Sequence, residues 1–295
     1  MAELQRIASH LLATGVFGLD LGAFTPFLHM LRDRERIIDL FEMTCGARLL
    51  YNYMWIGGLS HDIPTGFIES TLKFLDSFEP NIDELENILA HNKILVERSA
   101  DIGVMPKDVA ISYGVTGPNL RASGVNWDLR KNDPYSIYDR FEFDIPIGEG
   151  IKGTVGDCWD RFYVRILEMR ESVKIILQCI ERLPKGPVIS IDNKISPPNR
   201  DDIKQSMEAL IHHFKLFTEG YRVPKGDVYT AVEAPKGEFG VYLISDGSNK
   251  PYRCKIRAPG FSHLQAMDYL IRGHMLADVP AVLGSLDIVF GEVDR

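Results

Sequence analysis

An α+β fold, mainly helical, is predicted for these 295 residues: a large helical core with a small antiparallel β appendage in the C-terminal third. Three observations predict it. Apolar residues recur with a 3.6-residue period over long stretches, above all between Asp157 and Leu183, and β-forming runs of the hairpin kind gather after residue 221. Hydrophobic residues at 45% and charged residues at 25% describe a globular chain, long enough to bury about three quarters of its unfolded surface. The 33 Lys and Arg against 41 Asp and Glu leave a net charge of −8, without the basic footprint of a nucleic-acid binder. Cys45, Cys158, Cys179 and Cys254 are scattered, with neither zinc-ligand spacing nor a disulfide framework, and no signal-peptide pattern opens the chain. A reducing compartment is expected.

Taken in order, Leu4, Ile7, Ala8, Leu11 and Leu12 mark one buried helix face. No capping residue precedes it, although a helix start needs partners for its first N–H groups, so an upstream part is expected. Leu11 to Met30 lacks Lys, Arg and Glu, yet Gly15, Gly18, Gly22, Pro26 and Asp20 argue against a membrane span and for a buried core helix with small residues at close contacts. The run Arg32-Asp33-Arg34-Glu35-Arg36 reads as the solvated start of a helix through Glu42. Helices are expected over Thr65–Phe78 and Asn81–Ser99, the second opened by a capping box of Asn81 and Glu84. A loop-rich stretch leads to the longest helix, Asp157–Leu183, ended by Pro184 and Gly186, and another spans Asp201–Gly220. Val228–Val232, Phe239–Ser245 and Tyr252–Arg257 read as strands, the last two forming a hairpin about Asp246-Gly247. Ser262–Ala277 returns to helix before an apolar, Gly-broken tail, Val282–Val293. One domain covers residues 1–295, with 1–220 the helical core and 221–295 packed on it.

Several motifs invite chemistry. Gly148-Glu149-Gly150-Ile151-Lys152-Gly153 matches GxGxxG, but the following helix still occupies the place of the strand and ribose-binding acid a dinucleotide fold requires, so a mobile surface loop is expected. His212-His213 diverge by about 100° on a helix and read as a core-edge pair. His61-Asp62 before Ile63-Pro64 reads as an ordinary turn. Asp20 stands apart. In an uncharged segment a buried carboxylate must be paired, bonded or neutralised, and because burial raises its pKa such a group can hold a proton near neutrality; the plainer alternative is a helix-capping Asp at a kink before Gly22.

Ala2–Ile7, Gly18-Leu19-Asp20-Leu21-Gly22-Ala23-Phe24-Thr25-Pro26-Phe27, Trp127–Lys131, Gly156-Asp157-Cys158-Trp159-Asp160-Arg161, Ser206–Lys215, Glu233–Gly240, Pro251–Ile256 and Asp287–Arg295 together resemble the 49 kDa subunit family of respiratory complex I. The resemblance runs the whole length and implies a subunit of proton-pumping NADH:quinone oxidoreductase, on a fold similar to the nickel–iron hydrogenase large subunit. It implies that the chain binds no cofactor itself: quinone is the substrate, the terminal iron–sulfur cluster lies in a partner subunit, and NADH and FMN sit elsewhere in the complex. Partners would be the terminal-cluster subunit, the 30 kDa-type subunit and the membrane subunit at the quinone site. The location would be peripheral, on the cytoplasmic side of a bacterial inner membrane.

By the same resemblance, Asp20 partners a His that holds the quinone headgroup with a Tyr, while Val16 and Val289 line the apolar part of the cavity. Quinone reduction takes two electrons and two protons, which a carboxylate–His pair can relay. Asp287–Asp294 carries no Cys, so a nickel site is not expected there. The family's N-terminal β-rich portion with that His and Tyr is absent, so the chain alone is not expected to reduce quinone. Leu50 stands where mitochondrial relatives have a His near the cluster, Trp55 replaces an Arg, and Gly148–Val155 exceeds the family's loop. Two rivals remain: the large subunit of a membrane-bound energy-converting hydrogenase, and a non-catalytic interaction module.

Overall fold

A computed structural model describes residues 1–294. Helices α1 (Ala2–Asp20) and α2 (Phe24–Cys45) fold back on each other through Leu21–Ala23, where Gly22 takes a φ of 93° that glycine adopts at little cost. The uncharged stretch is therefore two helices, and no helix among the described residues is long and apolar enough to cross a membrane. Small residues do mark close contacts: a β-carbon on Gly15 would lie 3.1 Å from Met30 Sδ, and one on Gly18 3.3 Å from Leu89.

The mixed-sign run is not a solvated helix start. α2 already begins at Phe24, and Asp33 is fully buried, bonded by Asn81 Nδ2 at 3.0 Å to each oxygen and paired with Arg32 and Arg36. Asn81 is accordingly no cap. After the hairpin β1 (Met54–Trp55) and β2 (Gly58–Leu59), helix α3 (Phe67–Leu85) runs through Pro80 and Asn81 into a π turn over Glu86–Ala90. The cap is Asn92, whose side chain accepts from Ile94 N and Leu95 N to open α4 (Lys93–Glu97). The loop-rich stretch holds three short helices, α5 (Lys107–Ser112), α6 (Pro118–Ala122) and α7 (Leu129–Asn132). The β-like run Phe141–Ile147 forms no strand; Phe143 instead packs with Tyr138 and Ile175.

Helix α8 (Cys158–Glu181) is the longest, as its periodicity predicts, and Asp157 caps it by accepting from Asp160 N at 2.8 Å. The helix expected over Asp201–Gly220 is split into α9 (Arg200–Gln205) and α10 (Met207–Thr218), because Ser206 leaves helical geometry (φ −117°, ψ 124°) to cap α10. Strands β3 (Gly226–Ala234), β4 (Gly237–Ser245) and β5 (Arg253–Arg257) form an antiparallel sheet in that order, with Val228, Leu243 and Cys254 in register. The hairpin expected at Asp246-Gly247 joins β4 to β5, and a tighter one turns at Pro235-Lys236. Ser262–Ala277 is also broken, into α11 (Pro259–Gln265) and α12 (Met267–Ile271), and the tail holds α13 (Val279–Leu286) and α14 (Phe290–Asp294). One core cluster draws Leu4, Phe17, Phe41, Phe78, Trp159, Phe162, Val282 and Leu286 together.

Candidate functional site

Gln5, Ser9, Leu12, Val16 and Asp20 share the one face of α1 that the core does not cover. The acid expected to be submerged is therefore exposed. Its phase on the helix sets it opposite the buried Leu4, Ile7 and Leu11, and it is the last residue of the helix. Its carboxylate makes no hydrogen bond or ion pair with any described residue and lies against α13, where a β-carbon on Gly284 would stand 3.0 Å from Asp20 Oδ2. Partial desolvation still raises its pKa above the ordinary carboxylate value. α13 ends two residues later, the chain turns through Asp287 (φ 56°), and Val289 follows with 45% of its surface exposed. Leu12 and Val16 on α1, and Phe24 at the start of α2, surround this end of the helix hairpin with apolar side chains.

Behind Asp20 lies a crevice too narrow to hold even a water molecule, lined by Ala13, Thr14, Phe17, Phe162, Arg165, Gly284 and Ser285. A drug-sized ligand needs roughly 300–1,000 Å³. The crevice behind Asp20 is therefore too small to enclose such a ligand. A larger concavity, about 280 Å³ around Arg222, Asp246, Gly247, Ser248 and Asn249, is a polar dent open to solvent at the β4–β5 turn.

The opposite, buried face of α1 carries charge. Glu3, Arg6 and His10, at i, i+3 and i+7, point into a core that also buries Arg121, Asp128, Arg130, Glu168 and Glu233. His10 Nε2 lies 2.9 Å from Glu168 Oε2, Arg121 bridges Glu168 and Glu233 at 2.7 and 2.8 Å, and Arg130 joins Asp128 at 2.7 Å to Glu3 at 3.2 Å. Burial alone would raise Glu3, but Arg6, Arg130 and the hydroxyls of Tyr138 and Ser172 hold it down at about 2. Burial likewise opposes ionisation of Glu168, yet Arg121 and His10 keep it far below the usual range, while burial keeps His10 neutral. Four carboxylates thus face three guanidiniums, and His10 Nδ1 is left without a partner.

The glycine-rich segment is a loop, as expected, and residues 149–155 lie largely at the surface, but it is anchored at its start: Gly148 is buried and donates to Arg121 O at 2.9 Å, and a β-carbon there would stand 1.9 Å from Ala122 O. Gly150 N and Gly156 N donate to Asp160 Oδ2. The chain's own Asp157 and Asp160 thereby fill the N-terminus of α8, where a phosphate would have to sit. Asp62 accepts from Ile63 N in an exposed turn with His61. His212 faces Glu208 and His213 lies against Phe217, on a helix otherwise mostly exposed.

Residues 20–295 match the family model of the respiratory-chain NADH dehydrogenase 49 kDa subunit. The chain belongs to that family. It is 60% identical over 293 residues to the D subunit of the NADH-quinone oxidoreductase of Pelagibacter ubique, a match covering 99% of this chain and 74% of that protein. The corresponding NADH-quinone oxidoreductase subunits of Paramagnetospirillum magneticum and Ehrlichia canis are 55% and 54% identical over the same length, with 74% and 73% of each covered.

As a member of the 49 kDa family, the chain works within an oxidoreductase complex of the respiratory chain. Of the residues singled out in its sequence, Asp20 lies against α13 with Val16 one turn earlier on the same face of α1, and Val289 follows the end of α13. The buried ion network is a feature that the sequence reading misses. Its signal is present as polar residues at helical spacing, Glu3, Arg6 and His10 on α1 and Arg161, Arg165, Glu168 and Ser172 on α8, within helices whose remaining residues are largely apolar.

Proposed function

We propose that this chain is the subunit of proton-pumping NADH:quinone oxidoreductase whose α1, α13 and C-terminal turn build one wall of the quinone-reduction site. Asp20 faces the headgroup, and Val16 and Val289 face the apolar part of the quinone. The observation that carries the reading is the unpaired carboxylate of Asp20 at the end of the exposed Leu12–Val16 strip, with its pKa raised by partial desolvation and α13 behind it. An acid that binds no neighbour of its own is free to bond a ligand or a partner's side chain. Quinone takes two electrons and two protons to become quinol. The electrons originate in NADH and arrive from the iron–sulfur cluster of a partner subunit, and Asp20 holds or passes a proton at its Oδ atoms.

The surrounding assembly follows. The terminal-cluster subunit, the 30 kDa-type subunit and the membrane subunit at the quinone site complete the cavity, NADH and FMN bind elsewhere, and the complex lies against the cytoplasmic face of a bacterial inner membrane. Residues 1–295 form a single domain, the 221–295 part packed on a helical core related to the nickel–iron hydrogenase large subunit. Asp20→Asn in the assembled membrane complex tests the site. NADH-driven quinone reduction is expected to fall by about 10- to 100-fold, the scale of losing one acid–base group, while ferricyanide reduction by NADH is retained. Wild-type quinone turnover would remove Asp20 from the mechanism.

A further inference from the structure

Helix α8 carries two fully buried arginines one turn apart, and both grip Ser285 on α13. Arg161 Nε donates to Ser285 Oγ at 2.9 Å and Arg165 NH1 to Ser285 O at 2.8 Å. Their other acceptors are uncharged too: Gly156 O, Gly103 O and Cys158 Sγ for Arg161, and Arg161 O and Asn119 Oδ1 for Arg165, whose Nε has no partner. Asn119 Nδ2 in turn donates to Leu286 O at 2.9 Å. Among the described residues no carboxylate oxygen comes within ion-pair distance of either guanidinium, whereas Arg6, Arg121 and Arg130 each meet at least one. Asp287 and Glu168 act on Arg165 only from farther off, and each is already paired, with Lys236 and with Arg121; Asp157 and Asp160 likewise act on Arg161 from beyond ion-pair distance while accepting backbone N–H groups.

Like charges at i and i+4 repel, and a buried cation without a counter-charge is costly, so these positions carry an energetic cost that packing alone does not call for. Burial indeed pulls Arg165 below its ordinary pKa. The nearest structural consequence lies at Gly284 and Ser285. Arg165 lines the narrow crevice with both, and Gly284 is the backbone against which Asp20 rests.

We infer that Arg161 and Arg165 are positioning residues of the quinone site: they fix the edge of α13 behind Asp20, and their positive charge, which no carboxylate meets at ion-pair distance, favours the negative charge that gathers on a quinone ring as it is reduced. They pass neither proton nor electron; in Q + 2 e⁻ + 2 H⁺ → QH₂ they act only through the field and through the placement of α13. The inference rests on the wall proposed above.

Three variants in the assembled membrane complex test it, with a short-chain quinone and ferricyanide as acceptors. Arg165→Gln removes the charge, and quinone kcat is expected to drop about 10- to 100-fold while ferricyanide reduction per assembled complex holds. Arg165→Lys keeps the charge but not the fork, so kcat stays within about threefold and the quinone KM rises. Asn119→Asp supplies the missing counter-charge without truncating the arginine, and is expected to lower quinone kcat as Arg165→Gln does, which keeps the test decisive if that variant does not assemble. Quinone and ferricyanide rates falling in equal proportion, a Lys variant as slow as the Gln variant, or wild-type quinone kcat in Asn119→Asp each overturns the inference. Asp20→Asn run alongside separates the two readings: if it alone loses quinone turnover, the wall stands and the arginines' role falls; if it is silent, the wall itself falls.

Discussion

Buried ionisable side chains set how single residues respond to acid. Glu3 is held at about 2 against an ordinary 4.5, so its contribution to stability is complete above pH 4.5 and is lost as pH falls toward 2. His263 is fully buried among Thr116, Asn119 and nearby cations and is held neutral, with a pKa of about 3 against 6.5. Between those values the unfolded chain binds a proton that the fold refuses, so stability drains on acidification from pH 6.5 downward. The denaturation midpoint measured from pH 7 to pH 2 is expected to decline in two stages, and His263→Gln to flatten the upper stage only. An unchanged upper stage in that variant would count against a neutral buried His263. Sequence reading locates Asp20 but misjudges its surroundings. An uncharged segment suggests burial on all sides, whereas α1 buries its other faces and leaves Asp20 in phase with Gln5 and Ser9. Asp33 shows the converse: a charge inside a charged run suggests exposure, although Asn81, 48 residues away, supplies both its oxygens with a donor.

Among the elements, α8 is legible because 24 residues of periodic sequence average out local ambiguity, and the β4–β5 hairpin because Asp-Gly is a strong turn signal. Ser206 and Arg272, by contrast, break helices whose apolar pattern continues across them, for reasons that lie in capping and tertiary placement. The turn at Pro235-Lys236 lacks an Asn-Gly type signature and escapes a sequence reading for that reason. The GxGxxG segment is the sharpest case, since its glycines serve close approach of backbone to backbone. Gly148→Ala must push against Ala122 O, so a loss of about 1–3 kcal/mol or more is expected in thermal or chemical denaturation. Millimolar NADH or ATP should leave the wild-type midpoint where it is. Wild-type stability in Gly148→Ala, or a nucleotide-dependent rise, would return the motif to a binding role.

For the whole molecule, the distribution of exposed apolar residues fits a subunit that meets neighbours. Leu49 and Leu50, the latter 91% exposed, precede the small hairpin with its exposed Met54 and Ile56, and Met207, Phe214 and Phe217 stand out along α10. In the proposed reading the quinone wall follows the same pattern, a face that partner subunits complete. Labelling with a photoreactive short-chain quinone in the assembled membrane complex, mapped peptide by peptide, addresses that wall most directly. Adducts are expected on the segments holding Val16 and Asp20 and on Asp287–Val289, and excess unlabelled quinone should suppress them. Labelling confined to other segments, with both of these bare, would contradict a quinone site at α1 and α13.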